Sequence, residues 1–180
     1  MLPSHSGSGE RIMRGLVAVV AALLLALPVT ARALDLDSLA GVYKHRFQNA
    51  MADGEKYVSE DIMEIVKIAP DRAYLRLALA FSNGHSCNFW GIAHISGETL
   101  VHRSKGRSGD GCELSLRVKD GELTLGDENG RCGNYGCGAR GSFNAASFPL
   151  TSRRDIRYMD RLKASSEFKE SLDEDSAAAR

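Results

Sequence analysis

The chain has 180 residues, 43% of them apolar and 26% charged; this allows one ordinary domain, or a small domain with a tail, and excludes a disordered chain. Its 23 basic and 23 acidic residues cancel, which argues against nucleic-acid binding, since that needs a cationic excess.

At the start, Arg11 and Arg14 precede an apolar run from Leu16 to Leu27, Pro28 breaks the run, and Ala31-Arg32-Ala33 follows. A basic start, a short apolar core and a small-residue site read as a secretory signal peptide over residues 1–33. The core has 12 residues, against about 20 for a spanning helix, so cleavage near Ala33 is expected rather than a stable membrane anchor. Met1 and Met13 both fit as the start. The first Cys is Cys87, too far from the cleavage site to carry a lipid. The mature chain is therefore expected in the periplasm or outside the cell. All four Cys (87, 112, 132 and 137) lie in it, and an even count behind a leader suggests two disulfides in an oxidising compartment.

Residues 34–150 read as short strands. Leu75, Leu77, Leu79 and Phe81 alternate with Arg76 and its neighbours; Cys112, Leu114, Leu116 and Val118 alternate with Glu113, Ser115, Arg117 and Lys119. That period of two marks strands with one buried face. Turn signals fall between them: Asp53-Gly54, Pro70-Asp71, Asn83-Gly84, Ser96-Gly97 and Asp120-Gly121. Eight segments result, over 41–47, 56–68, 73–81, 87–95, 99–103, 112–119, 122–127 and 142–148. The expected fold is mainly β, an eight-stranded antiparallel meander closing into a small barrel, with a two-sheet sandwich as the alternative. Phe89 and Trp90 are adjacent on one strand and so face opposite ways.

Residues 151–180 change character. Ser152-Arg153-Arg154-Asp155 matches a helix-capping pattern, Ile156, Met159 and Leu162 recur every three residues, and Phe168 and Leu172 form an i,i+4 pair. A short helical tail with a fraying end beyond Leu172 is expected. Arg154, Arg157 and Arg161, interleaved with Asp155 and Asp160, read as a salt-bridged solvent face.

The most unusual stretch is Cys132-Gly133-Asn134-Tyr135-Gly136-Cys137-Gly138-Ala139-Arg140-Gly141. Of three pairings, the spacing favours Cys132 with Cys137 across a tight loop, leaving Cys87 with Cys112. A stapled loop that presents Asn134, Tyr135 and Arg140 would bind a partner at low entropic cost; a plain structural plug of the barrel is the competing reading.

No G-x-S-x-G elbow, H-E-x-x-H pair or Gly-rich phosphate loop occurs, so no catalytic residue is assigned. His94 and His102 flank one hairpin, but two histidines lack a third ligand; no metal and no cofactor are expected. Glu60, Asp61 and Glu64 read as solvated carboxylates. The leading expectation is a non-catalytic binding protein with a protein partner in the cell envelope. The alternatives are a small apolar-ligand carrier that uses the barrel interior, and an envelope hydrolase drawing its base from His45, His85, His94 or His102.

A leader, a compact barrel, Gly41-x-Tyr43, Gly54-x-x-Tyr57 and a disulfide-bearing second half together resemble the small periplasmic lysozyme-inhibitor proteins of Gram-negative bacteria. The resemblance covers the barrel and not the tail. This chain departs from the group in its four Cys and in the early place of its Gly-x-x-Tyr, so no inhibitory residue is carried over. The resemblance implies an envelope role in which a loop enters a partner's cleft.

Overall fold

A computed structural model describes residues 34–104, 111–144 and 146–180, with the backbone alone for Tyr135. The leader read over 1–33 lies outside the described residues. A short helix α1 (Leu36–Leu39) leads into eight strands: β1 (Gly41–Ala50), β2 (Lys56–Ala69), β3 (Arg72–Ala80), β4 (Ser86–Ser96), β5 (Thr99–Arg103), β6 (Glu113–Lys119), β7 (Glu122–Gly126) and β8 (Ser147–Pro149). They form one antiparallel meander in sequence order. The Asp120-Gly121 turn takes positive φ at both residues, as a tight hairpin between right-twisted strands requires.

Alternation places one residue in two inside. Tyr43, Met63, Ile65, Leu75 and Leu114 have no exposed surface, and each such side chain contributes about 1.5–3 kcal/mol through burial. Leu36 and Leu39 of α1 join this core where β1 begins, and the Tyr43 hydroxyl donates to the Leu39 carbonyl at 2.7 Å. Phe143 fills the opposite end with no exposure. β1 and β8 do not pair as strands. The chain turns at Leu150–Ser152, and Val42 and Arg154 then exchange two backbone hydrogen bonds, of 2.8 and 2.9 Å. The barrel is thus nearly closed, and a sandwich is not formed.

Three local expectations are corrected. Val118 is 42% exposed rather than inside, because β5 begins at Thr99 opposite Arg117 and leaves nothing beside Val118 on that flank. The segment expected as a strand over 142–148 pairs only at Ser147–Pro149; Phe143 turns inward instead. No helix starts at Ser152, whose hydroxyl donates back to the Pro149 carbonyl. The Arg154 backbone is engaged in closing the seam and cannot enter a helix.

The tail forms α3 (Met159–Ala164) and α4 (Ser166–Ala178); the label α2 belongs to the one-turn helix Gly133–Gly136. Ile156, Leu162 and Phe168 bury against Val42, Val66, Tyr74 and Ile92 on the outer wall of β1–β4. Ser165 caps α4 by accepting from the Phe168 amide. The helix continues past Leu172 instead of fraying, because Asp175 receives Arg72 at 2.5 Å and His94 at 2.7 Å from the sheet. Arg161 lies over the Tyr158 ring, and Arg154 donates to the Thr151 and Arg153 carbonyls. Among the described residues, only Arg153 and Asp155 pair within the basic stretch, at 3.7 Å, so the salt-bridged face does not form as read.

Candidate functional site

The loop between β7 and β8 covers one barrel end, and both disulfides hold it. They pair Cys87 with Cys137 and Cys112 with Cys132. All four expected cysteines are thus bonded, but the expected connectivity is wrong. Proximity in sequence favours a bridge inside the loop; the fold carries the loop back across the barrel mouth, so each of its cysteines meets a different part of the wall. Cys87 lies in β4, and Cys112 immediately precedes β6.

Within the loop, the Asp127 carboxylate is buried and accepts the Cys132 and Gly133 amides at 3.2 and 3.0 Å. It thereby satisfies donors that start α2, as an N-terminal carboxylate does in any helix. Close approach explains the glycines. A Cβ on Gly136 would lie 2.0 Å from the Asn88 carbonyl oxygen, and one on Gly141 would lie 2.5 Å from Cys87 Sγ. Asn134 and Arg140 are exposed on this loop. Tyr135 contributes its backbone to α2, and its side chain lies outside the described residues.

Beside the loop, the barrel mouth holds a recess of about 390 Å³. Phe47, Leu79 and Phe81 give it an apolar wall; His45, Asp61, Ser142 and Asn144 add polar groups. Ser142 and Asn144 belong to the cross-linked loop, so recess and loop form one face. The recess exists because the β2–β3 ladder stops at Ile62 and Ala78. Beyond that pair, Asp61 Oδ1 takes the Ala80 amide at 2.8 Å in place of a strand partner. Burial pushes the Asp61 carboxyl above its ordinary range, against the Ala80 hydrogen bond and His45, which lower it.

The expected cluster of solvated carboxylates does not exist. Glu60 faces out and pairs with Lys44 at 2.6 Å and Arg46 at 2.7 Å. Asp61 faces the recess. Glu64 lies under the tail with 1% exposure, accepting from Arg76 Nε and Nη2 and from the Tyr158 hydroxyl. The histidines are also dispersed. His45 lines the recess and His94 reaches α4. His102 points inward, donates from Nδ1 to the Ile92 carbonyl at 2.8 Å and meets the Phe89 ring edge-on. Burial lowers its pKa, which keeps it neutral. His94 and His102 therefore lie on opposite faces of the sheet and share no site. Among the described residues, no three His, Cys, Asp or Glu stand together as metal ligands. Trp90 is outside and 43% exposed, opposite Arg76, while Phe89 packs on the core.

Fold and site together define a small disulfide-bonded, nearly closed antiparallel β-barrel with a cross-linked loop face and a recess at its mouth. Comparison with known proteins gives no matching family model, no matching curated protein and no matching solved structure. Among the described residues, no helix is long and apolar enough to cross a membrane.

Proposed function

We propose that the protein is secreted or periplasmic and acts as a non-catalytic binding protein, using the loop end of the barrel to block the cleft of a lysozyme-like cell-wall hydrolase. One observation carries this reading: the loop is tied by two disulfides to two separate parts of the wall, with Asn134 and Arg140 exposed on its surface. A loop fixed before encounter loses little entropy on binding, and an exposed arginine is a common anchor. The two disulfides also fit an oxidising compartment.

The interior-carrier reading is weaker, because large side chains fill the barrel. The hydrolase reading has less behind it: His94 has Asp175 at 2.7 Å, but that carboxylate also receives Arg72, and both act as the clasp between the sheet and α4.

Titrating c-, g- and i-type lysozymes with the purified, oxidised protein tests the partner. Inhibition at about micromolar protein is expected. Arg140→Glu should weaken it by about tenfold or more. Unchanged turnover for all three enzymes removes the hydrolase as partner.

A further inference from the structure

We infer that the recess at the barrel mouth is a binding site for a small amine, a ligand with a cationic nitrogen on a flat apolar body, with Asp61 as its counter-ion. The inference stands on its own, whether or not the loop face meets a protein.

The carboxylate is the first reason. Asp61 has only 15% of its side chain exposed, and among the described residues no Lys or Arg pairs with it. Its Oδ1 is held by the Ala80 amide. The nearest cationic candidate for Oδ2 is His45 Nδ1 at 3.9 Å, beyond hydrogen-bond reach. The preceding residue shows what the same strand does with a carboxylate that needs no ligand: Glu60 engages two cations of β1. A desolvated carboxylate without a cation is costly, and a ligand cation that reaches it removes that cost.

The wall is the second reason. His45 stacks on Phe47, with ring centroids 5.4 Å apart and planes 24° apart, which gives the recess an aromatic side. Leu79 and Phe81 extend it. Such a surface takes a planar apolar body, and aromatic faces attract the cation as well. The volume, about 390 Å³, suits a small organic ligand. A metal ion is not the match, since Asp61 is the only carboxylate lining the recess among the described residues. An anion would meet that carboxylate directly.

The test is an amide chemical-shift titration of the purified, oxidised protein with three phenylethyl probes that differ in the terminal group: 2-phenylethylamine, 2-phenylethanol and 3-phenylpropionate. The amine should saturate and shift the Asp61, Ala80 and Phe81 amides. The alcohol should bind about tenfold more weakly, and the acid should show no saturation below about 10 mM. Asp61→Asn keeps an oxygen for the Ala80 amide; it should lower amine affinity to that of the alcohol and leave alcohol binding unchanged. Should that variant lose its fold, Phe47→Ala decides with the wild-type series, since it must weaken amine and alcohol alike. Equal affinity for amine and alcohol overturns the inference. So do shifts confined to other parts of the barrel, no saturation by the amine below about 10 mM, or a Phe47→Ala protein that binds the amine unchanged.

Discussion

Glu60 and Asp61 are neighbours on β2 that face opposite ways, and they are linked to pH with opposite sign. Hydrogen bonds from Lys44 and then Arg46 hold the Glu60 carboxyl below its ordinary value of 4.5. Its contribution is present above that value and is lost as pH falls through the lowered one. Burial raises Asp61 above its ordinary 3.8, so its charged form costs stability; the cost grows as pH rises from 3.8 towards the raised value and is complete above it. Asp61→Asn should therefore be more stable than the parent at about pH 7, by up to about 1 kcal/mol, and equal to it near pH 3. Urea melts at the two pH values check this, and a less stable variant at neutral pH would contradict it. Two tyrosines offer a second contrast. Tyr158 donates to buried Glu64; burial first, and then that hydrogen bond, push its pKa to about 12 from an ordinary 10.0. Its stabilisation is full below pH 10 and disappears as pH climbs through 12. Tyr158→Phe should cost about 1 kcal/mol at neutral pH and make the alkaline loss shallower. The buried Tyr74 hydroxyl finds no protein partner among the described residues, so Tyr74→Phe should cost nothing or stabilise slightly. None of these fates was legible in the sequence, where Glu60, Asp61 and Glu64 are simply three acids on one strand. Which face each occupies, and what later chain covers it, depends on distant residues.

At the level of elements, the strands were legible because alternation and turn chemistry are local: 99–103 matches β5 at both ends, and the Asp120-Gly121 hairpin forms as read. The disulfide connectivity was not, since it depends on a loop that folds back over the barrel mouth. The bridges differ in the chain they close. Cys87 and Cys137 are 50 residues apart, and Cys112 and Cys132 are 20 apart. Loop-closure entropy then assigns about 4 kcal/mol to the first and about 3 kcal/mol to the second. The double variant Cys87→Ala/Cys137→Ala should lose more stability than Cys112→Ala/Cys132→Ala. Each should raise amide exchange in the β7–β8 loop while β2 and β3 stay protected. Equal losses with an unchanged loop would refute this ranking. Gly136→Ala should loosen the same loop without breaking a bridge, since its methyl group would collide with the Asn88 carbonyl.

Across the whole molecule, the tail acts as a second layer on the outer wall of β1–β4. Its helical character was visible in Met159 and Leu162, although Ile156, expected on the same stripe, precedes the helix, and the wall it covers was not visible. A signal did exist in β2, β3 and β4, where Ile65-Val66, Tyr74-Leu75 and Ile92-Ala93 put buried residues on both faces. A strand wetted on one side has no reason to do so. Phe168 is 5% exposed and its ring lies 4.8 Å from that of Tyr74. Phe168→Ala should thus cost about 3 kcal/mol or more in urea melts, with the strand signal in circular dichroism retained before the transition. The two bridges are nested, Cys112–Cys132 inside Cys87–Cys137, and this has a consequence for biogenesis. A chain made from its N-terminus presents Cys87 and Cys112 to an oxidant before Cys132 and Cys137 exist. The first bond within reach is the wrong one. Once that bond has formed, the native pairs are reached only by thiol–disulfide exchange, so refolding of the reduced chain with an oxidant alone should give less native barrel than refolding in a thiol–disulfide buffer.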